Sequence, residues 1–148
     1  MDATRYLPIL GRLMIGLPFA MSGFGKLATY GKTTEAIAAV GLPLPPLAYV
    51  VAVAIELGGG LLLVVGYQAR VMAIALAVFS IVAAISFHHN FADQNQMIHF
   101  LKNVMIAGGL LQIAAFGGGA LSLDRWLRGD RGLSADPARW QVCCLGIR

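Results

Sequence analysis

The chain of 148 residues is 58% hydrophobic and only 12% charged, with a mean hydropathy of +0.75, too apolar for a soluble domain whose surface must carry ordinary charge. The net charge of +4 does not mark a nucleic-acid binder: Arg125, Arg128, Arg131, Arg139 and Arg148 follow the apolar region without an aromatic and basic platform beside them. The two cysteines, Cys143 and Cys144, are adjacent, which leaves no CxxC pair, no disulfide framework and no cysteine metal site.

The first apolar run extends from about Leu7 to Ala28. Arg12 interrupts its centre and no small-residue cleavage pattern follows, so it reads as a retained helix and not as a signal peptide. Arg12, Gly16, Phe19, Gly23 and Lys26 recur at four- and three-residue spacing, which places both cations and two glycines on one face, expected to look into a bundle. A short amphiphilic stretch, Thr29 to Leu42, leads to Pro43, Pro45 and Pro46, which end it and separate two spans. The second span, about Leu47 to Gly66, carries Glu56 and the run Gly58 to Gly60. A turn around Tyr67, Gln68 and Arg70 is short enough to enforce an antiparallel hairpin with the third span, about Val71 to Phe87. His88, His89 and the polar segment Asn90 to Gln96 form the next loop. The fourth span runs from about Ile98 to Phe116, where Gly117 to Gly119 stop it.

Each run approaches the ~20 residues that carry a helix across ~30 Å of hydrocarbon. The expected fold class is therefore an all-α membrane protein, a four-helix transmembrane bundle over residues 1–124, with a basic tail from 125 to 148. With four spans the termini share a side. Arg5, Arg70, Arg125, Arg128 and Arg131 collect there, against Lys26, Lys32 and Lys102 opposite, so the positive-inside rule assigns both termini to the cytoplasm. Trp126 and its neighbours then lie at the inner interface.

Charges within a span cost on the order of 2.5–3.5 kcal/mol each, and they normally face protein or water. Glu56 lies roughly 15 Å along its helix, close to the midplane, and Arg12 roughly 10 Å deep from the other end, at about 1.5 Å per residue. This pairs Arg12 with Glu56 as the buried ion pair. Lys26, His88, Lys102 and Asn103 fall at one outer level and with Glu56 define a polar pocket. The alternatives stay open on the residues alone: the pair can simply fix helix register, and His88 and His89 at a helix end can simply be solvated. No metal site is expected, since adjacent histidines point about 100° apart on a helix and His99 would have to fold back to join them.

The sequence resembles the DoxX family of bacterial inner-membrane proteins in GLPFAMSGFGKL (Gly16 to Leu27), PLPPLAYVVAVAIELGGGLLLVVGYQAR (Pro43 to Arg70), FHHNF and FLKN (Phe87 to Phe91, Phe100 to Asn103) and GGGALSLD (Gly117 to Asp124). The resemblance covers all four spans in order and ends at Asp124. It implies a multi-pass inner-membrane protein whose family-defining polar residues are Lys26, Glu56, Arg70, His88, Lys102, Asn103 and Asp124. It also points toward redox, because the wider group includes membrane subunits associated with thiosulfate:quinone oxidoreduction and others linked to oxidative stress. The function so expected is a membrane component of a redox or respiratory system whose polar pocket admits a quinone headgroup. It would be at most a subunit of a quinone-linked oxidoreductase, with no intrinsic cofactor and with electrons supplied by protein partners. Two other readings accompany it: a non-enzymatic scaffold or assembly factor, and a small transporter, which would need a homo-oligomer to enclose a pathway.

Overall fold

A computed structural model describes residues 5–127; the tail with Arg128, Arg131, Arg139, Arg148 and the Cys143 and Cys144 pair lies outside the described residues. Four helices are long and apolar enough to cross a membrane: α1 (Leu7–Leu27), α3 (Pro45–Val65), α4 (Ala69–Phe87) and α5 (Gln94–Phe116). Continuous apolar runs adopt this form in lipid because a helix satisfies every backbone polar group within one segment. Between α1 and α3 lies a short helix, α2 (Tyr30–Ala39), and a single turn and a half, α6 (Leu123–Leu127), follows α5.

Two boundaries differ from those expected. The amphiphilic stretch before the prolines is helical, with only Ile37 of α2 buried. The fourth span starts at Gln94 instead of near Ile98, because the Asp93 carboxylate accepts the Asn95 N–H at 2.9 Å and caps the helix. The polar residues Gln94 to Gln96 are therefore its first turn.

Small residues set the helix spacing. A Cβ on Gly16 would stand 2.8 Å from the Gly60 carbonyl oxygen, one on Gly60 2.7 Å from the Ala20 nitrogen, and one on Gly23 2.5 Å from the Leu57 nitrogen. Side chains at these positions would hold α1 and α3 apart; without them the backbones touch, the mode of packing that serves where lipid supplies no hydrophobic drive between helices. Gly59 packs instead toward Leu76 of α4, so the glycine run serves two neighbours. The core is Leu63, Leu76 and Leu110 with Ala69, Ala73, Ala77 and Ala107, and Ile15 and Phe19 of α1 pack against it. The expected inward face of α1 is the observed one: Arg12, Gly16 and Gly23 are buried, whereas Met14, Leu17, Met21 and Phe24 point outward. α3 is not a regular helix, since Ala54–Gly59 form a π turn with Glu56 inside it. α4 and α5 pair along their length, and α5 is the least enclosed span.

The start of α1, the turn between α3 and α4, and α6 meet on one side of the bundle. There the Asp124 N–H donates to the Gly66 carbonyl at 3.0 Å. The Asp124 carboxylate accepts the N–H groups of Gln68 at 2.7 Å and Ala69 at 2.9 Å, capping the N-terminus of α4.

Candidate functional site

Lys26 sits in the last turn of α1 on the same face as Gly23. The close approach at Gly23 brings it to α3, where the π turn presents Glu56. Its ammonium donates to Glu56 Oε2 at 2.5 Å, and the two side chains are 26% and 8% exposed. Ser22, one turn back on α1, takes part as well: Lys26 Nζ donates to Ser22 Oγ at 3.0 Å, and Ser22 Oγ donates to Glu56 Oε2 at 3.4 Å. The Tyr49 hydroxyl donates to the Lys26 carbonyl at 3.1 Å, which also accepts the Thr29 N–H at 3.0 Å. Tyr49 also holds α2, through an edge-to-face contact with Tyr30 at 4.8 Å between centroids.

This arrangement corrects the pairing of Arg12 with Glu56. Arg12 is 2% exposed, but its Nη2 donates to the Leu121 carbonyl at 3.0 Å, on the α6 side of the bundle. Its Nε and Nη1 have no partner among the described residues. Gly66 makes room for this guanidinium, because a Cβ there would overlap Nη1, and it also holds a φ of +73° that favours glycine.

Beside the ion pair lies a cavity of about 540 Å³ between α2, α3 and α4. Its walls are apolar, with Ile37, Leu42, Ala52, Phe79 and Phe87 among them, and Lys26 and Glu56 supply charge on one side while Lys32 and Thr33 of α2 stand on another. Val51 and Val82, at 47% and 51% exposure, form part of its border, so the cavity opens on the flank that faces hydrocarbon. A cavity of this size, apolar with a few converging polar groups, has the make-up of a small-molecule site.

Of the pocket expected from sequence, the structure brings Lys26 and Glu56 together and leaves the other three residues elsewhere. His88 Nδ1 lies 2.8 Å from Gln96 Oε1, and its ring stacks on His99 at 5.0 Å. Asn103 donates to the His99 carbonyl of its own helix at 3.0 Å, and Lys102 is exposed on the outer side of α5. Ser22, Lys32, Thr33 and Tyr49 were missed. The amphiphilic pattern of Thr29 to Leu42 was the available signal for α2, since a polar stripe beside a span must face something other than lipid.

These features define a class: a four-span helical membrane protein that keeps a lysine–glutamate pair in the wall of an apolar cavity. The DoxX family profile matches residues 7–89, and the chain belongs to that family. It is 36% identical over 119 residues to the inner membrane protein YqjF of Escherichia coli K12, covering 80% of this chain and 90% of that protein. It is also 36% identical over 128 residues to the inner membrane protein YphA of the same organism, covering 83% and 91%. No solved structure matches the chain.

Proposed function

We propose that this integral membrane protein is an inner-membrane component of a redox or respiratory system and that its cavity receives a quinone headgroup or a similar small amphiphile from the bilayer. The observation that carries the reading is the placement of the Lys26–Glu56 pair in the wall of an apolar cavity with a hydrocarbon-facing border. A ligand with a polar end and an apolar body fits such a site: Phe79 and Phe87 cover the body, and the polar end reaches the ion pair. The Lys26 ammonium is a donor for a carbonyl oxygen and stabilises charge that develops on it. Glu56 is placed to take or return a proton. Electrons come from a partner, and this chain binds and orients.

The direction of insertion belongs to the same proposal. Arg5, Arg70 and Arg125 lie on the side where α6 meets the α3–α4 turn, which the positive-inside rule assigns to the cytoplasm; the cavity then opens toward the outer leaflet.

The test is a titration of the purified protein with ubiquinone or menaquinone, followed by calorimetry. Saturable binding that Lys26→Ala and Glu56→Gln each weaken about tenfold or more, the scale of one lost charge-assisted hydrogen bond, supports the reading. Absence of saturable binding, or binding that neither substitution changes, overturns it. The scaffold reading is favoured by one observation, that the same pair and Ser22 fasten α1 to α3. It predicts that Glu56→Gln lowers the melting temperature and leaves function intact.

A further inference from the structure

A second cavity, of about 420 Å³, lies at the opposite end of the bundle, bordered by Arg70 of α4, the Gly117 to Gly119 loop, Asp124 and Arg125 of α6. We propose that it is a binding site for an anionic phosphate group, and that an acidic lipid headgroup is the source the site is built for. Three observations lead there.

The first is charge. Arg70 and Arg125 border the cavity, and the ion pair found among the described residues is Lys26–Glu56, at the other end. Asp124 is the carboxylate at this cavity, and both its oxygens are already taken by the N–H groups of Gln68 and Ala69. Behind Ser122 lies the buried guanidinium of Arg12, with two N–H groups unpartnered. Two guanidinium groups thus border the cavity with one carboxylate whose oxygens are engaged by backbone N–H groups, and the buried charge of Arg12 adds to the positive field behind them.

The second is form. Gly117 and Gly119 adopt φ of +84° and +83°, and a Cβ on Gly117 would stand 3.3 Å from Arg70 Nε. The loop therefore runs beside the Arg70 guanidinium at the cavity. A planar guanidinium fork suits bidentate contact with phosphate oxygens better than a lysine would.

The third is depth. Phe116, at 80% exposure, and Val71, at 56%, border the same cavity, and Trp126 of α6 is 62% exposed beside it in sequence. An exposed indole at the end of a span settles at the headgroup level. Apolar side chains at the border of a cationic cavity fit an anion that brings hydrocarbon with it, which a lipid phosphate does and a free phosphate does not.

The experiment uses the full chain in neutral detergent, titrated in native mass spectrometry with phosphatidylglycerol, phosphatidylcholine or inorganic phosphate. Retention of phosphatidylglycerol well above phosphatidylcholine is the expected result. Arg70→Gln and Arg125→Gln should each reduce it about fivefold, and the double variant should abolish it, given what one basic residue contributes near an anionic lipid. Both side chains are exposed, so the variants should melt with the parent, and Lys102→Gln at the other end should retain the lipid. Retention of inorganic phosphate without phosphatidylglycerol would uphold the phosphate site and assign it to a soluble anion. Equal retention of the two lipids, or retention unchanged in the double variant, overturns the proposal. Neither result bears on quinone binding, which is read at the other cavity.

Discussion

Gly23→Ala isolates the contact that brings α1 to α3. The new Cβ would lie 2.5 Å from the Leu57 nitrogen, 2.8 Å from its Cβ and 3.0 Å from its Cα. Two of these atoms are backbone, so no rotamer change relieves the overlap and the helices must move apart by about 1 Å to regain van der Waals distance. Overpacking of this kind costs about 1–3 kcal/mol, against a gain of roughly 0.5–1 kcal/mol when alanine replaces glycine within a helix. The net loss is roughly 0–2.5 kcal/mol, and about 1 kcal/mol at the centre of that range lowers the melting temperature by roughly 2–4 °C for a chain of this size. Gly25→Ala is the matched control: two residues on, in the same helix, a Cβ meets nothing within 4 Å, and only the propensity gain remains. Thermal unfolding of both variants in one detergent decides the matter. If Gly23→Ala melts at or above Gly25→Ala, the close approach of α1 and α3 is wrong, and with it the geometry that delivers Lys26 to Glu56.

Three further outcomes are expected. Lys26→Met should destabilise by about 1–3 kcal/mol, less than for a fully buried pair because Lys26 is a quarter exposed; Lys26→Met combined with Glu56→Leu should recover most of the loss in a double-mutant cycle by denaturant unfolding, and strict additivity would contradict the pairing. Asp124→Ala should cost about 1–2 kcal/mol by removing the cap of α4, with faster hydrogen exchange at Gln68 and Ala69; unchanged exchange there would show that the cap does not form. Gly66→Ala should cost about 2–3 kcal/mol through its positive φ and its overlap with Arg12, and the cost should shrink in an Arg12→Met background, a coupling that melting curves can detect.

The spans were legible because a hydrocarbon solvent leaves a strong record: long apolar runs, proline and glycine at their ends, and charge gathered at one side. The inward face of α1 was legible too, since its spacing fixes which residues share a stripe. Pairing across helices was not. Counting residues from each end put Arg12 near Glu56, but that count takes the ends of α1 and α3 as level, whereas Gly23 meets Leu57 and Arg12 meets Gly66, so the two helices are staggered along their axes. The acceptor that Arg12 does find, the Leu121 carbonyl, belongs to a segment after the fourth span, which no periodicity connects with α1. Depth also failed to locate Lys102 and Asn103: they were given a level in the membrane, but the rotation of α5 about its axis, set by its packing on α4, turns Lys102 outward. The start of α5 was not legible either, because the polarity of Gln94 to Gln96 reads as loop at a membrane surface, where water solvates a helical turn as readily as a coil.

The π turn in α3 has a consequence for chain length. Such a turn takes up one residue more than an α turn, and one residue is about 100° of winding. The half of α3 that carries Tyr49, Ala52 and Glu56 is therefore phased independently of the half that carries Gly60 and Leu63. Deleting a single residue between Ala54 and Gly59 would restore an even spiral and turn one half away from its neighbours, so that either the carboxylate or the glycine contact would be lost. A deletion of one residue within this stretch would thus uncouple the two halves of the span.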